Sequence, residues 1–191
     1  MILEKEVTIL NINKEEFIKQ IIQLGAKEQT KELLQTRYVY DFHPVEENKW
    51  IRLRTNGIKT TLTIKQIVDE NKIDGVKEWE VEVSDFEETD KILNMLGYHA
   101  RNIQQNKRQI FTLNNVEIAI DTWPLIPCYA ELESDDIKNI QQLLNLLQVK
   151  EENITTYNVG RIYEEIYHID LPKIKFLKFG ESYEALLESN K

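Results

Sequence analysis

The feature that most restricts what this chain can fold into is a strict two-residue alternation at residues 76–84. Trp79, Val81 and Val83 fall on one face there, and Glu78, Glu80 and Glu82 on the other. A period of two belongs to a strand and requires its apolar face to be buried. The opposite face carries charge of a single sign, and other strand-like segments repeat the habit. Glu4 with Glu6, and Glu131 with Glu133, make acidic faces, while Arg52 with Arg54, followed by Lys65, make basic ones. Solvent-facing sheets mix signs, because like charges side by side repel and opposite charges across strands attract. Segregation by strand implies a basic wall facing an acidic one across an interior.

The rest of the chain supplies more strands and a few helices. Asn13 caps a predicted helix over 14–24, where Phe17, Ile18, Ile21, Ile22 and Leu24 recur at helical spacing and Gly25 ends it. Tyr38, Val39, Tyr40 and Phe42 favour an extended segment over 33–42, followed by a turn at Pro44 and 46–49. Strands over 50–55 and 60–67 meet at Asn56-Gly57, a strong hairpin signal. After a polar loop at 68–75 and the alternating strand, Ser84 or Asp85 opens a helix reaching Leu96, ended by Gly97. A meander follows over 98–105, 108–113, 116–122 and 129–133, with a turn at Asn114-Asn115, and Ser134 caps a helix over 135–147. Beyond 153 come a short helix near 161–168, a lysine-rich apolar stretch at 173–179 and a last helix over 181–187.

This pattern predicts an α+β chain forming one domain over 1–191, in which 150–191 is a helical and extended C-terminal extension. Leu53, Val81 and Leu132 lie opposite the charges, and amphipathic helices must cover those apolar faces. The sheet is then either open or closed into a barrel; if the helices pack outside, the charges line the inside, and an eight-stranded barrel is about wide enough for side chains or one small ligand.

A formal charge of -9 excludes a nucleic-acid backbone as the main partner. The single cysteine, Cys128, forms no internal disulfide, and the start MILEKEVTIL is too charged for a secretory signal. No run reaches the length of a membrane span, so no membrane partner is expected and the expected location is cytoplasmic. His43, His99 and His168 lack metal-ligand spacing, no glycine-rich phosphate loop exists, and Trp50, Trp79 and Trp123 read as core.

Carboxylates two residues apart on a strand point the same way, about 7 Å apart. Clustered without a counter-ion they raise one another's pKa, so the cluster implies a divalent ion, nearby bases, or both. Oxygen-only ligation favours Mg²⁺ or Mn²⁺. One Glu-x-Glu alone is ordinarily a solvated strand face; several in one chain are a different matter. Arg52 and Arg54 share a face on which forked guanidinium groups can grip successive phosphates, Lys65 shares it from the next strand, and Arg108 adds a fourth base, with Lys107 pointing away. The alternative is cross-strand salt bridging of these bases with the glutamates. Asp121, ending an apolar strand, is either a turn former before Pro124 or an inward ligand.

In the order Glu4-Lys5-Glu6-Val7-Thr8, Arg52-Leu53-Arg54, Thr63-Ile64-Lys65, Glu78-Trp79-Glu80, Arg108, Asp121 and Glu131-Leu132-Glu133, the first 135 residues resemble the CYTH superfamily. These triphosphate tunnel metalloenzymes include class IV adenylate cyclases and thiamine triphosphatases. The resemblance implies an eight-stranded antiparallel β-barrel, a triphosphate tunnel with helices packed outside, in which Glu4, Glu6, Asp121, Glu131 and Glu133 hold Mg²⁺ or Mn²⁺. Arg52, Arg54, Lys65 and Arg108 would bind the substrate phosphates, and Glu78 and Glu80 would act catalytically by orienting the bases or a water. The partner would be a nucleoside, thiamine or inorganic triphosphate, and the sequence permits a homodimer. One departure stands out: the family's opening Glu-x-Glu-x-Lys has Thr8 in place of its lysine, a loss that Arg37 or Lys173, Lys175 or Lys178 could compensate. The readings left open are a cyclase or triphosphatase, a non-catalytic triphosphate or polyphosphate binder, and a barrel held by internal salt bridges without a ligand.

Overall fold

The N-terminal strand meets both edges of one curled sheet in the computed structural model, which describes residues 2–69 and 72–188. Its first stretch, β1 (Ile2–Glu4), pairs with β6 (Val76–Val83). Its second, β2 (Glu6–Ile9), pairs with β9 (Tyr129–Glu133). Between these two edges the order runs β6, β5 (Thr60–Ile67), β4 (Lys49–Thr55), β3 (Lys27–Asp41), β7 (Ala100–Leu113), β8 (Val116–Thr122) and β9, every pair antiparallel. With β1 and β2 counted as one strand broken at Lys5, eight strands enclose a tunnel, as expected. Closure removes the exposed edges that a twisted open sheet would leave unpaired.

The helices sit outside, where the apolar faces need cover. α1 (Lys14–Gln23) and α3 (Ile137–Leu147) bury Phe17, Ile21, Ile140, Leu143 and Leu147 against Val7, Ile9, Ile118, Ile120 and Leu132. α2 (Phe86–Met95) sets Leu93 and Phe86 on Tyr40, Ile51 and Leu53. Asn13 caps α1 by accepting from the Glu16 amide at 3.2 Å, and the Asn56 side chain accepts from the Ile58 and Lys59 amides in the hairpin turn.

The C-terminal chain packs beside the tunnel and adds residues between Asn158 and Pro172 to its lining. It contains β10 (Ile154–Thr155), a short helix α4 (Val159–Arg161) running into a π-helical turn at Ile162–Ile166, β11 (Phe176–Leu177) and α5 (Tyr183–Glu188). β10 extends the sheet beside β2, and β11 pairs in parallel with β7. Ile162, Tyr163, Leu171, Ile174, Leu177 and Leu186 form a second core with Leu10, Trp123, Ile126 and Tyr129.

Three local expectations are corrected. β3 begins at Lys27, because its polar first half pairs with β7 across register shifts, so backbone bonding carries a stretch that has no apolar period. β7 runs unbroken through Asn106 and Lys107, whose polarity had suggested a break. The cap of α3 is Asp136, which accepts from the Lys138 amide at 3.0 Å, whereas Ser134 is buried and donates to the Asn115 carbonyl at 2.9 Å.

Candidate functional site

Strand alternation and register decide which side chains share the tunnel. Glu6 and Thr8 of β2 stand opposite Glu133 and Glu131 of β9. Glu117 opposes Glu133, and Asp121 opposes Tyr129 and Arg108. On the far wall Arg54 lies between Arg37 and Thr61, Arg52 between Val39 and Thr63, and Lys65 between Trp50 and Glu78. The cavity measures about 1130 Å³, and Glu6, Arg37, Arg52, Arg54, Lys65, Glu78, Glu80, Arg108, Glu131 and Glu133 all line it. Asp121 is wholly buried behind Arg108. The backbone of Glu4 pairs with Val76, and its carboxylate lies outside the described side chains.

The four predicted bases are tied to carboxylates. Arg52 donates to Glu78 at 3.4 Å and lies 3.5 Å from Glu80, which also pairs with Arg54 at 3.5 Å. Lys65 approaches Glu78 at 2.7 Å, and the Thr63 hydroxyl donates to Glu80 at 2.8 Å. Glu78 and Glu80 thus hold the bases in place. Arg108 grips Asp121, donating from Nε at 3.0 Å, and pairs with Glu131 as well. Two acids expected at a metal are therefore engaged by a base expected at phosphate.

Each wall nevertheless carries more like charge than its partners neutralise. The Arg54 guanidinium is pushed down to about 8, first by Arg52 and then by burial, Arg108 and Arg37. Burial, with Arg52 and Arg108, brings Arg37 down to about 9. On the acidic wall, burial, Glu6 and Glu117 push Glu133 up to about 7. Burial also lifts Glu6, with Glu131 and Glu78 adding to the effect against Lys65 and Arg108. Glu131 is the exception, since Arg108, Lys65 and Arg37 outweigh its burial and keep it below the ordinary carboxylate range.

Sequence reasoning left several tunnel residues without a role. Asn102 and Asn106 are buried on β7, and Asn106 donates to Asp121 at 2.6 Å. The alternation of Asn102, Gln104 and Asn106 up to Arg108 was a legible signal for them. Glu117 shares its face with Asp121 by the same rule. Trp50, Trp79 and Trp123 all line the cavity, but Trp79 is 39% exposed and Trp123 is buried in the second core, so the three tryptophans do not act alike as core. Trp123 is buried beneath the Arg37 guanidinium, which lies 4.5 Å from its ring centroid. Of the groups considered for replacing the missing lysine, Arg37 is in the tunnel, while Lys173, Lys175 and Lys178 are not among its lining residues.

Among the described residues no three acidic, imidazole or thiol side chains are gathered closely enough to hold a metal ion as they stand. The donor chemistry still fits a hard divalent cation: Glu6 and Glu133 face each other across β2 and β9, Glu131 is next along the strand, and the raised Glu6 and Glu133 are groups that a cation would return to their charged form. No helix among the described residues is long and apolar enough to cross a membrane.

The CYTH domain family model matches residues 3–160. No curated protein matches the sequence. Among solved structures, the PH1012 protein of Pyrococcus horikoshii is similar at 25% identity and a TM-score of 0.71, over 81% of this chain and 96% of that one. A conserved hypothetical protein of Pyrococcus furiosus shares 24% identity at a TM-score of 0.71, over 82% and 97%. HpAC1 of Hippeastrum, a candidate adenylyl cyclase with a dominant triphosphatase activity, shares the fold at 12% identity and a TM-score of 0.57, over 86% and 95%.

Proposed function

Since the chain belongs to the CYTH family, we propose that it is a Mg²⁺- or Mn²⁺-dependent enzyme acting on a nucleoside, thiamine or inorganic triphosphate. The observation that carries this reading is the uncompensated charge of opposite sign on the two walls of one tunnel, which a metal-bound polyanion would satisfy on both sides. Arg52, Arg54, Lys65 and Arg108 bind the phosphate oxygens, with Glu78 and Glu80 fixing the first three. Glu6 and Glu133, with Glu131 on the same strand face, hold the cation, and Glu4, whose carboxylate lies outside the described side chains, is the remaining ligand expected from the sequence. Asp121 orients Arg108 instead of contacting the metal, because Arg108 and Asn106 already occupy its oxygens. When bound, the ion adds positive charge beside the phosphates and draws the raised carboxyls into their ionised form.

Phosphoryl and nucleotidyl transfer are promoted mainly by position and electrostatics, and this tunnel offers both. If water attacks the terminal phosphorus, its bond to the bridging oxygen breaks and phosphate leaves. If the ribose 3′ hydroxyl of ATP attacks the α-phosphorus, pyrophosphate leaves and cyclic AMP forms. A second reading, a triphosphate binder without turnover, is favoured by Thr8, which faces Glu131 with a hydroxyl where a lysine would bring charge.

Incubation with ATP, thiamine triphosphate and tripolyphosphate, each with Mg²⁺ or Mn²⁺, separates these readings. Free phosphate identifies a hydrolase, and pyrophosphate with cyclic AMP a cyclase. Thermal stabilisation without turnover supports the binder. Neither turnover nor stabilisation by any of the three would refute the triphosphate reading.

A further inference from the structure

Arg37 differs from the four bases predicted to bind phosphate. Arg52, Arg54, Lys65 and Arg108 each reach a carboxylate, whereas no ion pair among the described residues includes Arg37. Its partners are neutral: Nη2 donates to Gln35 Oε1 at 3.2 Å and to Asn106 Oδ1 at 2.7 Å, and its plane lies over Trp123. It is only 5% exposed, and its Nε, within the tunnel wall, has no hydrogen-bond partner. A buried cation supported by amides and an aromatic face, with a donor left over, is costly to the fold unless something anionic completes it.

The surroundings are built to keep it there. Trp123 packs edge-on to Tyr163 at 6.2 Å, and the Tyr163 hydroxyl donates to the Pro124 carbonyl at 2.5 Å. Asn106 receives from Arg37 through its oxygen and donates to Asp121 through its nitrogen, so its amide orientation is fixed from both sides. Cross-strand pairing places Arg37 directly beside Arg54.

We infer that Arg37 is a fifth basic ligand of the tunnel, an anion receptor held open by neutral partners, which together with Arg54 binds one phosphate group of the substrate. This rests on the triphosphate reading and adds to it the residue that offsets the charge missing at Thr8. With Nη2 given to Gln35 and Asn106, the guanidinium meets the phosphate through its fixed charge and its remaining hydrogens.

The test compares the wild-type chain with Arg37→Gln and Arg37→Lys, using tripolyphosphate as the probe in thermal melting and titration calorimetry. Glutamine can keep hydrogen bonds to Gln35 and Asn106 while removing the buried charge. Without the anion, Arg37→Gln is expected to melt at or above the wild-type temperature. Its tripolyphosphate Kd should rise about 10- to 100-fold, the loss of one charge-assisted pair, with Arg37→Lys between the two. Arg37→Gln binding tripolyphosphate as tightly as wild type, or melting several degrees lower without it, would overturn the assignment in favour of a structural arginine. A wild-type chain that is neither bound nor stabilised by tripolyphosphate, ATP or thiamine triphosphate would overturn the triphosphate reading itself, and the two failures are thereby distinct.

Discussion

Asp121 shows how alternation can place a residue while its contacts stay hidden. Alternation along β8 puts it inside the tunnel, but only the folded register reveals that Arg108 stands directly across from it and that Asn106 takes up the remaining capacity of Oδ1. Removing one member of a buried charged pair leaves the other uncompensated, so Asp121→Ala should cost about 3 kcal/mol in urea unfolding, the low end for such pairs because Glu131 still faces Arg108. Glu133 gives a pH-dependent counterpart. Its carboxyl titrates near 7 in the folded chain against an ordinary value of 4.5, so the unfolded chain gives up its proton first as pH rises. Stability from this group is present below pH 4.5 and is lost as pH rises through about 7. In EDTA, Glu133→Gln should flatten that part of the melting-temperature profile and melt higher than wild type at pH 8. Adding Mg²⁺ or Mn²⁺ at pH 8 should raise the wild-type melting temperature more than that of the variant.

At the level of elements, the strands that read clearly were those with one buried face. Residues 76–84 and the Asn56-Gly57 hairpin announced themselves by period and turn chemistry, and the structure keeps both. The first half of β3 did not, because Lys27, Glu28, Lys31 and Glu32 bury nothing and the stretch is held through pairing of Lys27, Glu28, Thr30 and Leu33 with a distant strand, which no local pattern encodes. Capping was ambiguous for a related reason. Ser134 and Asp136 are both good cap residues, and the choice fell to Asp136 because Ser134 is drawn into the β8–β9 end by the Asn115 carbonyl and the Asn139 amide. Asp136→Ala should therefore lower stability by about 1 kcal/mol, as loss of an N-cap does, and a helix signal that frays from residue 137 in hydrogen exchange would locate the effect. An Asp136→Ala chain as stable as wild type would return the cap to Ser134.

The whole molecule couples a tunnel to a tail, and that coupling was the least legible part. Charge segregation pointed to the barrel, but the segment after residue 150 carries no period strong enough to show that it packs against the barrel and lines its cavity. Ile174 is the clearest link. Its side chain is fully buried in the core containing Trp123 and Tyr163, and its carbonyl accepts from Asn102 of the tunnel wall at 2.7 Å. Trp123 in turn carries Arg37, so loosening this core should reach the anion site without touching it. Ile140, equally buried, fills the other core between α3 and the sheet, where nothing contacts Arg37. Ile174→Ala and Ile140→Ala should each cost about 2–5 kcal/mol, since each leaves a cavity of the same chemistry. Only Ile174→Ala should also weaken tripolyphosphate binding, several-fold at a temperature where both variants are folded. Equal binding by the two variants would mean that the tail is a cover and does not position Arg37; equal weakening would mean that binding follows global stability and not this contact path.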